Sequence, residues 1–433
     1  MKKNIIALVV ILILSVCVGV GIGWYVYVYS PNQEEDIKVG EGSTEVVEEV
    51  TEASTQEAEA EPIHITISAV GDIMMHKWQM ERGYDSGTDT FALGDTFDYT
   101  KDYLSSANYT VGNLETVFAG KGNGRCETFA GYSCFPCFNA PESFATDIKN
   151  AGIDLVGTAN NHSLDSYDKG IFTSLDFIDG AGLAHVGTAR SQEEKDEQTI
   201  VDIDGIKVGF VDYTYDLNGF TLSADNPFAI NTLGGYSEDK IQVMANEIAD
   251  LKANGADLVV AMLHLGVEYT TVPSSYQEQV IDVAIANGAD IIFGSHPHVV
   301  QPMDIRKVTD NYGTDRNVVI FYSLGNFVSS QVYRDGVMKD IGVLADVDIT
   351  KDEAGVRITE VRVAPVYTYW NDQVIGVVPV IEAYENPEKY DFLRDKDRAR
   401  IADAYTKTIA TLTGDSELSY TNSEYKYHFV VGE

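Results

Sequence analysis

A chain of 433 residues with 44% hydrophobic and 10% aromatic content has ample material for a globular core, in one large domain or two ordinary ones. Its charge is lopsided, with 67 acidic residues against 30 basic ones and a formal net charge of −37. A surface of that sign repels phosphate backbones and anionic headgroups, which argues against nucleic acid as a partner and against electrostatic binding to lipid.

Lys2 and Lys3 open the chain, and residues 4–33 then carry no charge. That run is long enough to cross a bilayer as one helix, and longer than the apolar core of a cleaved signal peptide. It continues into Trp24, Tyr25, Tyr27 and Tyr29, aromatic residues of the kind found at a membrane interface. The expectation is a cytoplasmic tip and uncleaved transmembrane anchor over residues 1–30. The single pass places the chain at the cell membrane with its C-terminal part outside the cytoplasm. Residues 31–61 follow, with eleven acidic residues and one lysine between 34 and 61. Rich in Glu, Ser and Thr, they cannot bury enough surface to fold and are expected to form an acidic disordered stalk.

From residue 62 to 433 a single folded domain is expected. "HITISAVGDIM", "ANYTVGNLETVF", "IDLVGTA", "ADLVVAMLHLGVEY", "ADIIFGSHPHVV" and "NVVIFYSLGNFV" read as strands, with helical stretches between them. Continuous apolar runs separated by helices describe strands buried on both faces, hence a layered α/β domain. The two "NGAD" segments read as helix C-cap glycines leading into strands. "GVLADVDIT", "RITEVRVAPVYT" and "VIGVVPVI" read as later, antiparallel strands, and "DKDRARIADAYTKTIATLTG" as a terminal helix. Cys126, Cys134 and Cys137 fall close together. Their Cys-x2-Cys has no second pair to complete a four-ligand zinc site, so a disulfide-stapled loop with one leftover thiol is expected.

The polar residues collect where these strands end. Asp72, Asn113 with Glu115, Asn160 to His162, His264, and His296 with His298 each follow an apolar run. Loops at the C-terminal edge of such a sheet build sites from residues far apart in sequence. One aspartate, one glutamate, asparagines and several histidines form the ligand kit of a dinuclear hydrolytic metal centre. The closing pair flanks Pro297. Side chains two apart in extended backbone point the same way, and proline holds the residue before it extended, so both rings are expected to face one point. His64, His185 and His428 fit no such pattern and read as ordinary. "SLGNF" reads either as a plain turn or as part of the site.

"VGDIMMH", "GNLETVF", "FNAPES", "GTANNHSLD", "HLGVEY", "GSHPHVVQP" and "FYSLGNFV" occur in this order. The set resembles the capsule-synthesis (CapA) family of poly-γ-glutamate biosynthesis proteins, a relative of the calcineurin-like metallophosphoesterases. The resemblance spans residues 64–330 and implies a four-layer α-β-β-α sandwich of the metallophosphoesterase type. It implies Asp72, Glu115, Asn161, His264, His296 and His298 as metal ligands, with His162 assisting the leaving group. His76, Asn113 and Asn160 are further candidates. His76 departs from the family pattern, because it comes four residues after Asp72 rather than two. Glu115 stands where an aspartate is usual, which lengthens the bridge between ions. The implied cofactor is one or two divalent ions, with manganese, zinc and iron undistinguished. The implied role is an anchored protein of capsule or poly-γ-glutamate biosynthesis or export with a metal-dependent hydrolase-type site. Its implied partners are other capsule-synthesis membrane proteins and an anionic polymer or phosphoester substrate. Two other roles fit the same residues: a non-catalytic polymer-binding component, and an anchored phosphoesterase unrelated to capsule. For a polyanion, Lys121, Arg125 or Arg334 is expected to supply local positive charge.

Overall fold

The computed structural model describes residues 61–432 apart from 312, 314, 372–374, 415 and 417. The expected anchor, and all but the last residue of the expected stalk, lie outside the described residues. Among the described residues no helix is long and apolar enough to cross a membrane.

Two large sheets carry the fold, one of ten strands and one of six. In the larger, the strand Ile63–Ile73 pairs in parallel with Tyr109–Leu114, and Leu155–Gly157 and Ala184–Val186 continue the parallel run outward. On its other side Ile341–Asp352, Gly355–Trp370, Lys426–Val430 and Thr421–Ser423 follow, all antiparallel. The later strands read from the sequence are therefore antiparallel, as expected. The smaller sheet runs Met303–Thr309, Asp315–Phe321, Ile291–Ser295, Leu258–His264, Ile206–Thr214, Thr199–Ile203. Its inner pairings are parallel and its two edge pairings antiparallel.

Alternate residues on each strand face opposite ways, and both faces are apolar. Ile65, Ile67 and Ala69 meet Phe210, Val260, Met262 and Phe293 of the other sheet in one buried cluster. The outward residues Val70 and Ile73 pack with Ile148 and Leu175, from the helices Ser143–Asn150 and Tyr167–Gly180. On the far side, Val259, Ala261 and Ile292 pack with Ile248 and Ile281, from the helices Glu238–Ala253 and Ser275–Ala286. The layer order is helix, sheet, sheet, helix. Each fully buried branched side chain in these layers contributes about 1.5–3 kcal/mol. The terminal helix Asp395–Thr413 adds Ile401, Ala404 and Leu412 to the cluster between the sheets, beside the antiparallel strands. Gly255 and Gly288, in the two "NGAD" segments, take the positive φ of a helix C-cap (94° and 115°).

"NVVIFYSLGNFV" is two strands, not one. Asp315–Phe321 belongs to the smaller sheet, whereas Asn326–Val328 lies parallel beside the end of Ile63–Ile73 in the larger. The turn between them crosses from sheet to sheet. A Cβ on Gly71 would lie 1.8 Å from the Gly325 carbonyl oxygen, so glycine is what lets the turn come this close. The Asp72 N–H donates to that same carbonyl at 3.0 Å. Register then sets Asp72 beside Asn113 and Asn326, and Ser295 beside His264. Polar strand ends from both sheets thereby face one shared edge.

Candidate metal centre

Each element delivers its ligand at the point where the parallel ladder stops. Asp72 is the second-last residue of its strand, and Glu115 directly follows Tyr109–Leu114. His264 ends its strand, and His296 follows Ile291–Ser295. All four are buried, together with Asn161 and His298.

Two groups of donor atoms form, each with its atoms within 4.8 Å of one another: Glu115, His264 and His296, and Asp72, Glu115 and His298. Glu115 belongs to both. From Glu115 Oε1, the Nε2 atoms of His264 and His298 lie at 3.7 Å and that of His162 at 3.9 Å. These distances are too long for hydrogen bonds. They suit a cation between carboxylate and imidazole, with metal–ligand bonds of about 2.0–2.2 Å. Neither Glu115 oxygen has a hydrogen-bond partner, although the side chain is fully buried. A buried carboxylate without a partner is costly, and burial, then the Asp72 charge, push Glu115 well above the usual carboxylate range. Burial, then the neighbouring imidazoles, hold His264 well below its ordinary range and bring His296 down to about 3. Neutral imidazole is the form that binds metal. The residues present fit one or two divalent ions.

The surrounding polar groups aim these ligands. The Asn113 amide donates to Asp72 Oδ1 at 2.8 Å, and Ser295 Oγ lies 2.8 Å from His264 Nδ1. His264 Nε2 is 2.8 Å from Asn161 Oδ1, while the Asn161 amide donates to Asn218. His298 Nδ1 sits 3.0 Å from Asp72 Oδ2 and 3.1 Å from Asn326 Oδ1. Asn160 donates to the Leu114 carbonyl and accepts from the His162 N–H, so it holds the loop together.

His162 lies in neither donor group. Its Nδ1 is 2.7 Å from Asp165 Oδ2, which also accepts the Phe138 N–H at 2.6 Å. Its Nε2 therefore turns toward Glu115, beside the two donor groups. His76 also lies outside both groups, its Nδ1 meeting the Ser330 N–H at 3.4 Å and its ring edge-on to Phe138. Burial, then the charges of His298 and His162, bring it down to about 3.

The histidines around Pro297 reach the site by another route than extended alternation. Their φ angles are +96° at His296 and +58° at His298, both in the left-handed region. The ring centroids stand 6.2 Å apart, and each serves a different donor group. Such conformations cost of order 1–3 kcal/mol each and persist where the surroundings impose them.

Other expectations need correction. The expected staple is open in this structure: Cys126, Cys134 and Cys137 are free thiols, with Cys126 Sγ 3.8 Å from the Cys137 carbonyl oxygen. Of the three expected cations, Arg125 stands near Asp165. Lys121 is paired with Asp89, and Arg334 with Asp335 on the surface. Lys339, which no motif marked, sits 4.7 Å over the Tyr269 ring, itself 5.9 Å from the His298 ring. Asp165 was also missed as a contributor, although it lies inside a quoted motif, while Asn326 gives "SLGNF" the second of its two readings, as part of the site. His64, His185 and His428 bond elsewhere, to Thr350, to the Asp179 region and to Glu360.

The family model of the bacterial capsule synthesis protein PGA_cap matches residues 66–331. The capsule biosynthesis protein CapA of Bacillus anthracis is 30% identical over 284 residues, 65% of this chain and 64% of that protein. The PGA biosynthesis protein CapA of Bacillus subtilis (strain 168) is 28% identical over 268 residues, 62% of this chain and 64% of that protein. The chain thus spans just under two thirds of the length of these curated relatives. Among solved structures, a dimetal phosphatase from Danio rerio aligns at 10% identity over 51% of this chain and 83% of that one, with a TM-score of 0.25.

Proposed function

The chain belongs to the bacterial capsule synthesis PGA_cap family, and on that premise we propose that it serves capsule biosynthesis or export through a metal-dependent hydrolase-type site of the metallophosphoesterase kind. In this reading the N-terminal run anchors it in the membrane and the folded domain works outside the cytoplasm. Glu115 carries the proposal: a buried carboxylate with two partnerless oxygens, common to both donor groups.

Asp72, Glu115 and His298 would hold one divalent ion, and Glu115, His264 and His296 a second, with Asn161 beside His264. When bound, such ions supply Lewis-acid activation of a phosphoryl or carbonyl oxygen and of water. The protein's own groups do the rest. Asn113 and Asn326 orient Asp72 and His298. Asp165 pins His162 Nδ1 and so orients the ring, leaving Nε2 as the atom that gives a proton to the leaving group as the scissile bond breaks. Phe138, edge-on to His162 at 4.7 Å, keeps water from that face.

A second reading, polymer binding without turnover, draws on Arg125 and Lys339, two cations stacked on aromatic rings, one by the His162 turn and one by Tyr269 near His298. One experiment separates these. The purified full-length chain is assayed for bound metal, then for hydrolysis of phosphoesters and γ-glutamyl amides with and without chelator. The hydrolase reading expects bound metal, chelator-sensitive turnover, and loss of both in a His296→Ala, His298→Ala double variant. Labelled poly-γ-glutamate that binds equally after chelation, with no turnover, supports the binding role. Turnover of phosphoesters alone supports a phosphoesterase unrelated to capsule. Metal content unchanged in the double variant defeats the metal site itself.

A further inference from the structure

Residues 120–140 grip the turn that carries His162 and Asp165 with two arms. On one arm the Phe138 N–H donates to Asp165 Oδ2 at 2.6 Å, and the Phe138 ring meets His162 at 4.7 Å. On the other, the Arg125 guanidinium donates to the Leu164 carbonyl at 3.3 Å. It is sandwiched between the rings of Tyr167 and Phe220, at 3.7 and 4.0 Å. Each arm has a cysteine as its next residue. Cys126 follows Arg125, and Cys137 precedes Phe138.

The two cysteines are neighbours, and their thiols interact. Cys126 Sγ lies 3.8 Å from the Cys137 carbonyl oxygen. Burial, the Asp165 charge and then Cys126 itself hold the Cys137 thiol up at about 11. Cys126 is exposed and Cys137 half-buried, whereas Cys134 is buried and turned to the Phe135 carbonyl at 4.0 Å. Geometry therefore selects one pair of the three.

We propose that Cys126 and Cys137 form a disulfide site that locks together the two arms gripping the His162–Asp165 turn. The oxidant is a small-molecule disulfide. The exposed Cys126, as thiolate, attacks one of its sulfurs and expels the other as a thiolate. Cys137 gives up its proton and displaces the second small thiol from the mixed disulfide. Two protein thiols are thereby oxidised to one disulfide, and one small disulfide is reduced to two thiols. The lock fixes Phe138 against Asp165 and Arg125 against Leu164, so the support of His162 no longer rests on hydrogen bonds alone.

The test equilibrates the full-length chain with glutathione disulfide, alkylates it, and maps the digest by mass spectrometry. The chain has four cysteines; two alkylatable thiols, Cys17 and Cys134, are expected to remain, with Cys126 and Cys137 in one cross-linked species. Amide hydrogen exchange over residues 134–142 and 162–167 is expected to slow on oxidation. Cys126→Ser should abolish both changes, and Cys134→Ser should leave both intact. A cross-link that includes Cys134, four free thiols at equilibrium, or a Cys126–Cys137 bond with unchanged exchange would each overturn the proposal.

Discussion

Asp165 Oδ2 lies 2.7 Å from His162 Nδ1 and receives the Phe138 N–H at the same oxygen. That carboxylate fixes which imidazole nitrogen faces the candidate metal centre. It acts through His162 and touches neither donor group.

Asp165→Asn keeps the shape and removes the carboxylate that holds His162 Nδ1. We expect kcat to fall by about 10–100-fold for substrates with poor leaving groups, part of the 10²–10⁴ that a positioned acid supplies. With a nitrophenolate leaving group, which needs little protonation, the loss should largely vanish, and bound metal should not change. An equal loss for both substrates would make Asp165 merely structural.

Glu115→Gln removes the shared charge without changing volume. Metal binding should drop sharply, because both donor groups lose their common carboxylate. The metal-free variant should be more stable than the metal-free parent by about 1–3 kcal/mol, since a buried group without partners is replaced by a neutral one. Urea unfolding in excess chelator measures this. Equal stability would mean that Glu115 is satisfied in some way not seen here.

The buried imidazoles of the metal-free protein should cost it stability as acid is added. His296 is held at about 3 in the folded chain, chiefly by burial, against an ordinary value of 6.5. His264 is depressed in the same direction by the same cause. Between those limits these two imidazoles bind more protons in the unfolded chain than in the folded one. The stability that depends on neutral imidazole is therefore complete above pH 6.5 and is lost as pH falls toward 3. At one pH unit below the ordinary value the cost is about 1.4 kcal/mol per imidazole. Thermal unfolding of chelated protein between pH 7.5 and 5 reads it, and a His296→Asn variant should show a shallower slope.

Gly71→Ala tests the crossing turn. Its Cβ would meet the Gly325 carbonyl oxygen at 1.8 Å, so the turn must move away. A loss of about 2–4 kcal/mol is expected, in the range of overpacked sites next to backbone. Asn326 would then leave His298, and metal affinity should fall with stability. A stable variant with full metal affinity would show that Asn326 does not orient the histidine.

Much of this was legible because strands and ligands share a simple logic. Apolar runs buried on both faces located the parallel strands, and the polar residue after each run located Asp72, Glu115, Asn161 and His264. Register between neighbours does the converging, and period-two alternation foretells it. The choice between the two readings of "SLGNF" was hidden because the turn changes sheets, which no local pattern encodes. The left-handed backbone at His296 runs against the preference of a residue before proline, and that at His298 against the ordinary cost of positive φ outside glycine, so only tertiary contacts impose them. Asp165 follows His162 by three residues in a turn rather than a strand, where alternation says nothing about direction. The cysteines were close in sequence, but spacing alone cannot choose a partner.

The central claim is a divalent metal site organised on Glu115, and its most direct test is the metal content of the purified full-length chain. Metal-free protein is titrated with Mn²⁺, and bound ions are counted for the parent, Glu115→Gln, His296→Ala and His298→Ala. The account predicts ions bound to the parent, partial loss in each histidine variant, and near-complete loss in Glu115→Gln. Equal content in the parent and Glu115→Gln, or no binding by the parent, would contradict it.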